Sequence, residues 1–132
     1  MVNTEQYESY FNFYIPEYLA HLFAYLDKYT TKQSVILAGT TLSMMIPVFT
    51  HDNVFMGQEN SVADYNSRVM MAINFYNQIM SPDTMKTFLV SHRISYVMFS
   101  IDAPAYTSGF TAYPFLKEVY HNGSNSIVQV IP

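Results

Sequence analysis

Residues 53–68, NVFMGQENSVADYNSR, decide the fold. A short apolar run (Val54, Phe55, Met56) ends at Gly57, and a polar turn carries Gln58, Glu59 and Asn60. A helix follows, with Asp64 and Arg68 on its first turns. Ser61, with Asp64 three residues on, has the spacing of a capping box in which Asp replaces Glu. A strand that runs through a glycine and a polar turn into a helix is where α/β folds present their ligand-facing groups.

Toward the C-terminus, Val62, Tyr65, Val69, Ile73, Tyr76 and Met80 lie three to four residues apart and predict one face of an amphipathic helix. Ser81-Pro82-Asp83 supplies an N-cap, a proline at N1 and an acid near the positive end of the dipole for a second helix. The buried face of that helix reads as Met85, Phe88 and Leu89. Ile94–Ile101 (ISYVMFSI) is β-branched and aromatic throughout and predicts a strand. A loop from Asp102 to Thr111 leads to a short helix around Pro114–Tyr120. His121-Asn122-Gly123 reads as a turn, and Ser126–Ile131 as a last strand of either direction. Toward the N-terminus, Pro16 suits a helix start, and Leu19, Leu22, Phe23 and Leu26 mark a helix through about Lys32. Ser34–Ala38, closed by Gly39, reads as a buried strand. Thr40 or Thr41 then caps a short helix with Leu42, Met45 and Ile46, which Pro47 stops or bends. Residues 1–14 show no clean period and read as a linker or lead-in; residues 15–132 read as a single α/β domain.

This order predicts a three-layer α/β/α sandwich around a small, mainly parallel sheet of about four strands, Rossmann-like or flavodoxin-like. Right-handed crossovers put the loops after the first three strands on one sheet edge. The candidate ligand-binding residues are therefore Gly39, Thr40 and Thr41 after the first strand, Gln58, Glu59 and Asn60 after the second, and Asp102 after the third. For each, service as a turn or cap residue is the competing reading.

Composition narrows the partners. Only 12% of the 132 residues are charged, below the roughly 25% usual for soluble domains, while 12 Tyr, 10 Phe and 9 Met enrich the apolar and aromatic share. Two readings fit: a domain that rests against another domain or a membrane surface, and a well-packed domain with half-buried tyrosines. The net charge of −4 and six scattered Lys and Arg residues argue against nucleic acid. No segment approaches the roughly 18 consecutive apolar residues of a membrane span. The N-terminus lacks the basic and apolar regions of a signal peptide.

The search for reaction chemistry is negative. His51-Asp52 is the sole adjacent His–carboxylate pair, and its place before a strand puts it on the edge opposite the predicted crevice, where a turn with Asp52 as a local cap is the simpler reading. His21 reads as an exposed mid-helix residue. His92 reads as a helix-end residue favoured by the dipole, and His121 as a neighbour of the turn glycine. No metal spacing, GxSxG elbow, Walker loop or GxGxxG is present, so neither a metal nor a cofactor is implied. Gly39-Thr40-Thr41 would offer backbone N–H groups to an anion, with ordinary capping as the alternative. Asn122-Gly123-Ser124 matches a glycosylation sequon and equally a turn signature.

The ordered series is more specific than any one motif. It runs from LDKYTTKQSVILAG through IPVFTHDNVFMGQ, an Asp-Tyr-x-x-Arg helix and INFYNQIMSPDTMKTFLVSHRISYVMF to LKEVYHNGSNSIVQV. Over roughly residues 16–130, the series resembles the C-terminal soluble region of bacterial multi-spanning membrane proteins of the GT-C glycosyltransferase type, including the YfhO-like and dolichyl-mannosyltransferase-like groups. Gly57, Asp64, Tyr65, Arg68, Phe75-Tyr76 and Ile94-Ser95-Tyr96-Val97 carry the pattern; Gln58 stands where many relatives have His. The resemblance implies a non-catalytic domain on the extracytoplasmic side of the cell membrane. Its partners would be the membrane-spanning portion of the same protein and a carbohydrate or lipid-linked sugar. The catalytic acid and donor site of such enzymes lie in the membrane portion. Two other readings stand beside it: a free-standing Rossmann-like module binding a small anion or nucleotide at Gly39–Thr41, and a structural or partner-binding domain without ligand.

Overall fold

The computed structural model describes residues 17–31, 33–57, 62–100, 110, 112–123 and 125–131. Helices and strands succeed one another as α1 (Glu17–Tyr29), β1 (Val35–Leu37), α2 (Thr40–Phe49), β2 (Asn53–Val54), α3 (Val62–Tyr76), α4 (Pro82–Ser91) and β3 (Ile94–Phe99). Two further strands, β4 (Leu116–Asn122) and β5 (Asn125–Val130), complete a five-stranded sheet in the order β2-β1-β3-β5-β4. The first three strands are parallel, with Ile36 beside Val54 on one side and Leu37 beside Val97 on the other. β5 runs antiparallel to β3 and β4, pairing Val97 with Val128 and Glu118 with Val128 across its two edges.

The domain is thus α/β with a mixed sheet, which corrects the mainly parallel sheet of about four strands. The error lies at residues 116–122, where a short helix around Pro114–Tyr120 was expected. Instead Leu116 is buried, Val119 and Tyr120 are half-buried and Lys117 and Glu118 face solvent. A bulge between Glu118 and Tyr120 breaks the strict alternation that marks a strand in sequence. Asn122 pairs with Asn125 across the turn, and Gly123 adopts φ 64°, a left-handed value that glycine takes without steric cost. The turn was legible; what it joined was not.

Successive strand residues point to opposite faces, and the buried residues divide accordingly. Leu37, Phe55, Val97, Phe99, Leu116 and Val128 pack with Ala72 and Phe75 of α3 and with Met85, Phe88 and Leu89 of α4. Ile36, Ala38, Val54, Met98 and Ile127 pack with Leu19, Leu22, Phe23 and Leu26 of α1 and with Leu42, Ile46 and Phe49 of α2. The first cluster is aromatic, with the Phe110 ring 5.2 Å from Phe75 and 4.8 Å from Phe99. The second is largely aliphatic, with Phe23 stacked on Phe49 at 5.1 Å. Full burial of such side chains contributes about 1.5–3 kcal/mol each.

Local signals set most helix ends. Ser81 caps α4 by accepting the Thr84 N–H at 3.2 Å, with Pro82 and Asp83 in the first turn as read. α2 differs: Gly39, rather than Thr40 or Thr41, occupies its N-cap, and no side chain caps it. Pro47 lies inside α2, which continues to Phe49. In α3 the inward residues are Tyr65, Val69, Ala72, Phe75 and Tyr76, whereas Ile73, expected on the buried face, is 43% exposed. Ile73 is one step from Ala72, and a helix turns about 100° per residue, which carries it away from the sheet. α3 ends at Tyr76, so Met80 belongs to the following turn and not to the helix.

Candidate functional site

Because β1, β2 and β3 are parallel, Gly39, Gly57 and Ser100 all follow strand ends at one edge of the sheet, and the β4–β5 turn lies at the same edge. The chain leaves β1 toward β2 on one side while β3 lies on the other. In doubly wound sheets that divergence opens the ligand crevice. Here the Tyr76 hydroxyl donates to the Met98 carbonyl at 2.7 Å and lies 3.2 Å from the Leu37 carbonyl, so it fastens β3 to β1 at the divergence. Other polar groups at this edge are also committed. Ser43 Oγ donates to the Ala38 carbonyl at 3.2 Å, Ser100 Oγ donates to Asn125 Oδ1, and Asn125 Nδ2 donates to the Asn122 carbonyl at 3.4 Å.

The expected site residues divide. Gly39 is buried, and its carbonyl accepts the Ser43 N–H at 2.9 Å; Thr40 begins α2 and Thr41 is exposed on its first turn. Gln58, Glu59, Asn60 and Asp102 lie outside the described residues, as does Ser61. Arg68 has a structural function: its Nη1 donates to the Phe55 carbonyl at 2.7 Å, and the guanidinium sits 4.7 Å above the Phe55 ring. Beside it, His92 meets Phe55 and Phe88 edge-on at 5.0 and 5.3 Å. Burial, and then the Arg68 charge, lowers its pKa, so His92 favours the neutral form and not the cation expected at a helix end.

A groove that the sequence did not announce runs between α1 and β4. It is shallow and open to solvent, with a volume of about 380 Å³, and is lined by His21, Ala24, Tyr25, Lys28, Tyr120, His121 and Asn122. His21, Tyr25 and Lys28 recur at helical spacing and so share one face of α1. The Tyr25 and Tyr120 rings approach to 4.9 Å, forming an aromatic floor. Burial, then the neighbouring Tyr96 and Tyr29, raises the Tyr25 pKa, so its phenol stays protonated. His21 lies 3.4 Å from Glu17, and His121 3.7 Å from Glu118 and 3.2 Å from Ser126 Oγ. The periodicity of 21, 25 and 28 was available in the sequence. Its partner face was hidden, because residues 120–122 were read as helix and turn.

A second polar cluster lies at the opposite sheet edge, where α1 ends and β2 begins. Asp52, whose side chain is 0% exposed, places Oδ1 and Oδ2 at 2.6 and 2.7 Å from Thr30 Oγ1. His51 contacts Asp27 Oδ1 through Nδ1 and the Thr30 carbonyl through Nε2, both at 2.8 Å. The His51-Asp52 pair is therefore no imidazole–orienter dyad: Asp27 and Thr30 orient the ring, and Asp52 is a buried partner of Thr30, not a local cap.

Among the described residues no group of three or more His, Cys, Asp or Glu side chains is placed to hold a metal ion. No described helix is long and apolar enough to cross a membrane. No protein-family model matches the chain, and no curated protein matches it.

Proposed function

We propose that this domain is a non-catalytic, extracytoplasmic part of a membrane glycosyltransferase-like protein, where it helps to hold a carbohydrate acceptor or sugar beside a membrane-embedded active site. In this reading the helices on the two faces of the sheet form the outer layers of a three-layer sandwich. The observation that carries the proposal is the groove between α1 and β4. Sugars are recognised by aromatic faces that cover their C–H surfaces and by polar side chains that hydrogen-bond their hydroxyls. Tyr25 and Tyr120 supply the first; His21, Lys28, His121 and Asn122 supply the second. The upper end of the groove, at His121 and Asn122, lies on the same sheet edge as Gly57 and Ser100.

The surface of α2 supports a docked position. Its ten residues include no charge, and Met44 and Val48 stand 56% and 51% exposed. Such a face suits packing against the membrane-spanning portion of the same protein.

Saturation-transfer NMR with a panel of methyl glycosides and nucleotides tests the proposal. Sugar signals that weaken in Lys28→Gln and His21→Ala support the groove; loss of signal in Gln58→Ala or Asn60→Ala extends the contact beyond it. Signals from nucleotides alone would favour the anion- or nucleotide-binding reading at Gly39–Thr41 and sink the carbohydrate one.

A further inference from the structure

We propose that Asp27, Thr30 and His51 form a proton-held clasp that ties the end of α1 to the start of β2 in acid and loosens as the pH rises, beside a Thr30–Asp52 bond that persists. The inference comes from counting protons against contacts. A carbonyl oxygen brings no proton, so the 2.8 Å contact between His51 Nε2 and the Thr30 carbonyl places a hydrogen on Nε2. The 2.8 Å contact between Nδ1 and Asp27 Oδ1 then needs a second hydrogen, which makes the ring an imidazolium. With neutral His51, the Nδ1 lone pair would face a carboxylate oxygen.

Thr30 makes the other half of the joint. Its Oγ1 contacts the Leu26 carbonyl, four residues back along α1, and both oxygens of Asp52. The Leu26 carbonyl also accepts the Thr30 N–H at 3.1 Å, so it keeps a donor when the single hydroxyl proton is given to Asp52. Ionised Asp52 therefore keeps its bond to Thr30, and the contact that needs an added proton is the one between His51 and Asp27.

The surroundings favour that protonated arrangement. Among the described residues the ion-pair partner of Asp52 is His51, at 3.9 Å, whose Nε2 hydrogen is directed to the Thr30 carbonyl. The Thr50 hydroxyl accepts the Asp52 backbone N–H at 3.1 Å and anchors the loop. Burial raises the Asp52 pKa, against the opposing effects of Thr30 and His51. Hydrogen bonds to the Thr30 carbonyl and to Asp27 raise that of His51, with burial acting against them and the Asp52 and Asp27 charges adding to the rise. Both groups bind protons more tightly when folded than when unfolded. The stability each contributes is therefore full below its unfolded value, about 3.9 for Asp and 6.5 for His, and is lost as pH rises through the folded value.

The clasp sits at the last turn of α1, the helix that carries His21, Tyr25 and Lys28 into the groove. Acid would hold that helix against the sheet and fix the groove, a consequence that rests on the carbohydrate reading; the clasp itself does not.

NMR of the histidine-labelled chain between pH 3 and 9 reads the clasp directly. The His51 ring is expected to titrate above about 6.5. Amide hydrogen exchange at residues 26–30, corrected for base catalysis, should lose protection as the ring deprotonates in the wild type and stay flat in His51→Gln, whose carboxamide donates to the Thr30 carbonyl at every pH. A His51 midpoint at or below the ordinary value, or the same loss of protection in His51→Gln, overturns the proposal. If that variant does not fold, the wild-type ring titration decides alone. Absence of sugar signals at every pH would end the groove reading without altering the ring result.

Discussion

The two ends of the sheet are secured by different chemistry. At the end where β1 and β3 diverge, neutral groups do the joining: the Tyr76 hydroxyl on the Met98 carbonyl, Ser43 on Ala38, and Ser100 on Asn125. At the other end the joining groups are Asp27, Thr30, His51 and Asp52, and only Thr30 among them cannot titrate. A hydroxyl–carbonyl bond is indifferent to pH across the range in which proteins fold, whereas a buried carboxyl and a doubly bonded imidazole are not. The two sets of joining contacts therefore differ in their sensitivity to protons, and the groove lies on the helix that spans the two ends.

Substitutions at the two ends should separate them. Asp52→Ala strips the buried partner from Thr30 and opens a small void, and should cost about 2–3 kcal/mol. Because burial raises the pKa of Asp52, paired urea titrations should show a larger loss in acid than in base. At the neutral end, Tyr76→Phe removes only a hydroxyl and leaves the aromatic packing on Phe75 and Phe99 in place. It should cost about 1–2 kcal/mol, because the Met98 carbonyl loses its donor, and by the same amount in acid and in base. Asn125→Ala takes the acceptor from Ser100 and should cost about 1 kcal/mol, again without pH dependence; a slope here would break the contrast.

His92 sharpens the comparison from the other side. Its pKa is lowered by burial and by Arg68, so its contribution is present above about 6.5 and is lost as pH falls through the lower folded value. His92→Gln should flatten the acid limb of a melting-temperature profile, and His51→Gln the limb above neutrality. Smallest of all, Lys28→Gln should change stability by less than about 0.5 kcal/mol while weakening the sugar response; a stability loss near that of Tyr76→Phe would mean that Lys28 holds the fold instead.

Much of the fold was legible residue by residue. The SVILA run closed by Gly39, the ISYVMF run and the Ser81-Pro82-Asp83 start each carry a local signal that the tertiary structure had no cause to override. The misreadings came where local signals were weak. LKEVYHN lacks alternation because a bulge interrupts it, and Ile73 fits a three-to-four spacing although it lies just beyond the buried arc of α3. The candidate site was less legible. Tyr76 is one of many tyrosines in the sequence, and nothing local says that its hydroxyl will reach two strand ends. His51-Asp52 is conspicuous as a pair, yet the partners of each lie more than twenty residues away, at Asp27 and Thr30.

The sequence by itself determined that this chain is an α/β domain, where most helices and strands begin, and that its chemistry would not be a recognisable catalytic or metal motif. Those are local properties, written in periodicity, caps, turns and spacing. Only the tertiary structure decided that the last two strands form a hairpin on a mixed sheet, that α1 and β4 enclose a tyrosine-floored groove, and that Asp52 is buried against Thr30. Each depends on which surfaces meet. That choice is made by packing between segments far apart in the chain, and no single segment carries it.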